Sequence, residues 1–120
     1  VLVSVSFPKL GKGWSAHYEK FNRTAQGWAI VGVAAAVKVD GGRITDARIA
    51  LTNCAATPVR AASVESALKG AAVNMDEITT AAQSAAEGTR ATSDLHADKA
   101  YREHLMRVLT ARAVLTAAGA

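Results

Sequence analysis

Residues 28–52 constrain the fold more than any other stretch. Ile30, Val31, Val33, Val37 and Val39 lie before Asp40-Gly41-Gly42, and Ile44, Ile49 and Leu51 lie after it. β-Branched side chains favour a pleated, half-buried surface. Asp and Gly at the tip tolerate a positive φ, and Arg43 re-enters an extended segment. The stretch is therefore predicted to be a hairpin with a short loop. A hairpin with one apolar face needs a covering layer, so the rest of the chain must provide one.

Residues 1–7 alternate, with Val1, Val3, Val5 and Phe7 against Leu2, Ser4 and Ser6, and Pro8 stops the run. This predicts a strand with one strongly apolar face. A chain that opens on Val1 inside such a run is expected to be a piece of something longer. Residues 9–13 hold two glycines and two lysines and predict a mobile turn. Residues 15–21 resume as an extended segment, with Trp14, Tyr18 and Phe21 available for packing, and residues 22–27 form a loop or a single helical turn.

The later half carries helical signals. Thr57-Pro58 predicts a helix start, because threonine caps a free amide and proline lacks one. Ala61, Val64 and Leu68 share a face, and Gly70 closes the helix. A second helix is predicted from about Met75 to Glu87, capped by Asn74, with Asp76 and Glu77 at its positive end and Gly88 as its stop. Residues 89–95 read as a linker. In the last helix Tyr101, Leu105, Val108, Ala111 and Leu115 are predicted to face the core, with Lys99, Arg102, Glu103 and Arg107 mainly off it.

Strands first and helices last give an α+β sandwich: an antiparallel sheet of three to four strands followed by three helices packed on one face. With 120 residues the chain is one domain, too short for helices on both faces of a sheet. Half of it is hydrophobic but only 5% aromatic, so close packing through alanine is expected. No apolar run approaches the roughly 18 residues of a membrane span.

Chemistry by motif is sparse. His17, His96 and His104 are scattered, and no HExxH or Cys/His metal pattern occurs. The lone Cys54 has no histidine beside it and reads as a small buried filler. Gly11-Lys12-Gly13 is too short for a phosphate loop. Residues 1–60 carry eight basic and three acidic side chains, while residues 61–120 carry six and seven. A positive front half suits an anionic cofactor, a phosphate or nucleic acid. Nucleic acid is disfavoured because Trp14, Tyr18 and Phe21 make no base-stacking pattern.

Four segments carry a resemblance. They are residues 15–23 followed by residues 28–34, residues 42–53, residues 56–61, and residues 93–97 leading to Tyr101-Arg102. In this order they resemble the C-terminal domain of the flavoprotein subunit of molybdenum hydroxylases, the carbon monoxide dehydrogenase and xanthine dehydrogenase family. The resemblance implies an FAD-binding medium subunit whose earlier domains hold most of the FAD. In it, residues 1–14 are a strand and linker entering from a preceding FAD-binding domain, and residues 15–120 are the C-terminal domain proper. It implies a large subunit with the molybdenum cofactor and a small subunit with 2Fe-2S clusters. Electrons then pass from those clusters through the flavin to an acceptor.

The resemblance also implies that this domain covers the isoalloxazine side of FAD. Leu2 occupies the place of a flavin-touching leucine, and Lys20 that of a lysine which approaches the ring; an alignment shifted by one residue puts Glu19 there. A cation near reduced flavin stabilises its negative charge, so Lys20 is expected to tune potential, not to move protons. Many members carry an aspartate where this chain has Gly27. Thr57-Pro58 and Tyr101-Arg102 are expected to be architecture, the latter pinning the last helix by a packed ring and an arginine bond. The family habit and the lone cysteine point to the cytoplasm, or the inner face of its membrane. The competing reading is an α+β interaction or dimerisation module that meets no cofactor.

Overall fold

A computed structural model describes all 120 residues. Four strands, β1 (Trp14–Phe21), β2 (Val31–Asp40), β3 (Arg43–Thr52) and β4 (Val59–Arg60), form one antiparallel sheet in the order β1-β2-β3-β4. Helices α1 (Ala62–Leu68), α2 (Met75–Ala82) and α3 (Lys99–Ala118) follow, with a 3-10 turn at Gln83–Ala86 extending α2. The expected α+β layout is therefore present, with four strands and three helices.

The hairpin forms as its residues require. Gly41 and Gly42 take φ of 55° and 75°, the two left-handed positions of a tight loop whose twist matches the strands it joins. Alternation then sorts β2 and β3. Val31, Val33, Ala35, Val37, Ile44, Ala47, Ile49 and Leu51 are buried beneath the helices. Gly32, Ala34, Ala36 and Lys38 point the other way. A bulge between Lys38 and Val39 resets the register near the tip.

Small residues let the layers approach closely. Ala35 and Ala47 on the sheet and Ala111, Ala113 and Ala117 on α3 are all buried in one core with Met106, Leu109 and Val114. The Ser15 hydroxyl donates to the carbonyl of Ala117, tying β1 to the end of α3. α2 is capped as the sequence indicates: the Asn74 side chain accepts from the Glu77 amide at 2.9 Å, and Glu77 in turn accepts from the Ala72 amide at 2.7 Å.

Three expectations are corrected. Residues 1–7 are exposed and enter no ladder, because the edge of β1 lies free and nothing in this chain reaches the apolar face of that segment. Thr57-Pro58 does not open a helix. The edge of β3 claims the next two residues, pairing Ala50 with Arg60 and Leu51 with Val59, so α1 starts later, after an uncapped Ala61. Glu65 compensates, accepting from the Ile49 amide at 2.8 Å and from Arg60 Nε at 2.6 Å.

The third correction concerns α3. Its core face is wider and rotated: Arg102, Met106, Leu109, Ala113 and Ala117 are buried with Leu105, while Tyr101 is exposed and Val108 and Leu115 are only half-buried. The sheet lies across one side of the helix and α2 across the other, so no single stripe describes what is covered. Tyr101-Arg102 does pin the helix. The Tyr101 ring meets Phe21 edge-on at 6.3 Å, and Arg102 Nη1 donates to the Ile30 carbonyl at 2.6 Å.

Candidate functional site

Helices α1 and α3 cover one face of the sheet, with α2 packed on them, and the opposite face is open. On that open face β1 presents Trp14, Ala16, Tyr18 and Lys20, and β3 presents Arg48, Ala50 and Thr52. Alanines floor its centre, where Ala16, Ala34, Ala36 and Ala50 lie beside Tyr18 and Arg48. Arg48 rests over the Trp14 ring at 4.8 Å. An alanine floor allows close approach by a flat partner, since no side chain rises from it.

Beside this floor is a hollow of about 760 Å³, lined by Tyr18, Lys20, Trp28, Thr52, Asn53 and Pro58 among others. Gly32 explains its shape. A Cβ on Gly32 would sit 2.4 Å from the Tyr18 hydroxyl and 2.6 Å from Thr52 Oγ1. The Tyr18 ring thus reaches across Gly32 and stays 51% exposed, lodged on the strand instead of standing off it. Trp28 precedes β2 and projects almost freely, 95% exposed. Asn53, which ends the hairpin, is the one non-glycine residue with a positive φ, 60°, and its side chain donates to the Ala29 carbonyl at 2.8 Å. That bond ties the Trp28 segment to the end of β3.

Lys20 lines this hollow and is exposed. Glu19 faces the helix side instead, half-buried, with Oε2 3.1 Å from His17 Nε2. Strand parity therefore separates the two aligned candidates and gives the open face to the lysine. Leu2 is not brought to the site: it is 81% exposed on the unpaired leading segment and does not line the hollow. At Gly27 the loop closes through its amide to the Thr24 carbonyl at 2.9 Å, and a Cβ there would come within 2.8 Å of Thr24 Oγ1. An aspartate at this position would require Thr24 to move.

Cys54 is fully buried, accepted into the core as a small filler, and burial pushes its thiol up to about 11. A thiol so protonated is no nucleophile at neutral pH. Sequence reasoning assigned Tyr18 to packing and placed Trp28 inside the strand. The signal for Tyr18 was present in its even spacing from Lys20, which puts both on one face. Asn53 and the depth of Arg102 gave no comparable signal.

The fold is thus an α+β sandwich, with helices on one side of a four-stranded antiparallel sheet and an open face carrying Lys20 and Arg48 on the other. The CO dehydrogenase flavoprotein C-terminal domain family matches residues 16–117, and the chain belongs to that family. Among its relatives is the carbon monoxide dehydrogenase medium chain of Hydrogenophaga pseudoflava, 31% identical over 114 residues, covering 95% of this chain and 40% of that protein. The xanthine dehydrogenase FAD-binding subunit of Escherichia coli O157:H7 is 28% identical over 122 residues, covering 100% of this chain and 42% of that protein.

Solved structures agree. The carbon monoxide dehydrogenase of H. pseudoflava that lacks the Mo-pyranopterin moiety of the molybdenum cofactor superposes with a TM-score of 0.85 at 35% identity, over 93% of this chain and 39% of that one. Quinoline 2-oxidoreductase of Pseudomonas putida 86 gives 0.84 at 30% identity, over 88% and 37%. The chain thus spans about two fifths of the relatives it matches. No helix is long and apolar enough to cross a membrane.

Proposed function

We propose that this chain is the C-terminal part of the FAD-binding subunit of a molybdenum-containing hydroxylase or dehydrogenase, and that its open sheet face covers the isoalloxazine side of the FAD. The single observation that carries this is the Tyr18 ring lodged across Gly32 with Lys20 beside it in the same hollow. Bound FAD supplies the electron-carrying chemistry that links iron–sulfur clusters to an acceptor.

The residues fit a planar, partly anionic group. The Tyr18 ring offers a flat aromatic surface, and the absence of a side chain at Gly32 keeps that surface low on the sheet. Lys20 supplies a positive charge at the hollow, and Thr52 a hydroxyl. Trp28 stands at the rim, where an indole excludes water from one side. Nothing in the hollow has to accept or release a proton, so its residues bind, orient and tune. Leu2 is proposed to reach the flavin only when its segment pairs with a sheet of a preceding FAD-binding domain. Further proposed partners are a molybdenum-binding large subunit and an iron–sulfur small subunit, assembled in the cytoplasm or at the inner face of its membrane.

The test is the visible spectrum and metal content of the native full-length chain purified with whatever co-elutes. Flavin bands with iron and molybdenum are expected. A colourless chain without large partners refutes the proposal and leaves the cofactor-free interaction module in its place. K20M is expected to lower the flavin potential, because a neutral side chain no longer stabilises the reduced, anionic ring. An unchanged potential removes Lys20 from the site.

A further inference from the structure

The Trp28 indole projects from a backbone that is held on both sides of it. It is 95% exposed and pairs with no ring or cation of this chain. Trp28 and Asn53 together line the Lys20 hollow on one side and a second cleft of about 590 Å³ on the other. A wall with solvent on both sides gains little rigidity from packing, so backbone bonds set its position.

Those bonds come from distant segments. The Gly27 amide donates to the Thr24 carbonyl at 2.9 Å, and the Ile30 amide to the Phe21 carbonyl at 2.8 Å. Asn53 Nδ2 donates to the Ala29 carbonyl at 2.8 Å and reaches the Ile30 carbonyl at 3.3 Å. Arg102 Nη1 donates to the same Ile30 carbonyl at 2.6 Å; its Nη2 donates to Asp94 Oδ2 at 2.5 Å, and its buried Nε has no partner.

Asn53 is the unusual member. Its φ of 60° lies in the left-handed region, which glycine enters at the least cost. Asparagine is tolerated there because its short side chain can bond nearby backbone. The Asn53 amide instead crosses to residues 24 and 23 positions away in sequence. The turn alone therefore does not account for asparagine at this position, whereas the bonds to the Trp28 segment do.

We propose that Asn53 is a positioning residue: its side-chain amide fixes the backbone that follows Trp28, so that the indole stands as a preset wall of the Lys20 hollow against a planar aromatic ligand. That ligand is the flavin ring, so the inference rests on the FAD reading given above. Backbone ordered before binding spares the complex that ordering cost, and a rigid ring then contributes its whole face. Asn53 acts through Trp28 and moves neither proton nor electron.

The test is titration of FAD into the flavin-free full-length chain carrying N53G, N53D, W28A, or N53G with W28A. Glycine and aspartate both accept the left-handed backbone, but neither has a side-chain donor. Each single variant is expected to weaken FAD binding about tenfold, the scale of losing one ordered residue at the site. The double variant is expected to bind no worse than W28A, because both changes remove the same wall. Unchanged binding by any single variant, or fully additive losses in the double one, overturns the proposal. Amide hydrogen exchange reads the clamp without flavin. Faster exchange at the Ile30 amide is expected in N53G and N53D, with the Val64 amide as a control for global stability. Exchange at Ile30 that stays unchanged, or that rises only as much as at Val64, overturns the positioning role even where FAD binds. An unaltered chain that takes up no FAD overturns the FAD reading and with it this ligand, while the exchange result still decides whether Asn53 holds Trp28.

Discussion

Replacing Arg102 by methionine is expected to cost less than the burial of its charge implies. The bond to the Ile30 carbonyl is charge-assisted and lies in the interior, which is worth about 1.5–3 kcal/mol. That carbonyl is not orphaned by the change, because Asn53 Nδ2 still reaches it at 3.3 Å. The bond to Asp94 adds little, since that side chain is 45% exposed and keeps the amides of His96 and Ala97 at 2.8 and 3.1 Å. Against both losses, methionine removes the unpartnered Nε, whose burial costs about 1–3 kcal/mol.

The balance is a loss of about 1 kcal/mol for R102M, well under the roughly 3–5 kcal/mol of breaking a fully buried pair. R102A removes the packed stem as well and leaves a cavity, raising the loss by about 2 kcal/mol or more. With m-values of about 1–3 kcal/mol/M, urea midpoints of the full-length chain should fall by about 0.5 M for R102M and about 1.5 M for R102A. A loss of about 3 kcal/mol or more for R102M would refute the reasoning, because it would mean that Nε carries no penalty to relieve.

Three further outcomes follow from the same contacts. Asp94 is held below the usual carboxylate range by the His96 and Ala97 amides first and then by Arg102. Its contribution is therefore present above the unfolded value near about pH 4 and lost as pH falls through the lower folded value, so D94N should flatten acid unfolding in that window. G32A drives a methyl group into Tyr18 and Thr52; it should displace the ring, cost about 1–3 kcal/mol and reduce flavin retention, and unchanged flavin content would count against the ring as a platform. The Cys54 thiol, pushed up to about 11 by burial, should react with a thiol reagent at pH 8 only as fast as the domain opens, measured against C54A. Its neutral burial stabilises the fold below the ordinary thiol value of 9.0, and that stabilisation is lost as pH rises through about 11.

Local rules were sufficient wherever a residue acts on its own neighbourhood. Gly41 and Gly42, the Asn74 cap, the Gly70 and Gly88 stops and the alternation of β2 and β3 all depend on backbone dihedrals and spacing, which a sequence displays directly. Even the side of the sheet that carries Lys20 followed from parity, once β1 was known to pair with β2. The motifs in order also carried the family, and with it the expectation of FAD.

Tertiary structure decided what depends on a competitor elsewhere in the chain. Val59 and Arg60 are pulled into β4 because β3 has an unpaired edge there, which overrides a sound helix-start signal at Thr57-Pro58. Residues 1–7 carry a strand pattern, yet pattern alone supplies no partner, so Leu2 stays exposed. Arg102 reads as a surface residue of an amphipathic helix and is instead among the most buried side chains, because the Ile30 carbonyl and Asp94 come to meet it from other segments. The sequence by itself determined the central hairpin with its apolar face, the caps and stops of α2, and the order of strands before helices. Only the assembled structure decided which face remained open and which guanidinium was left with a donor to spare, since both are differences between groups brought together from distant positions.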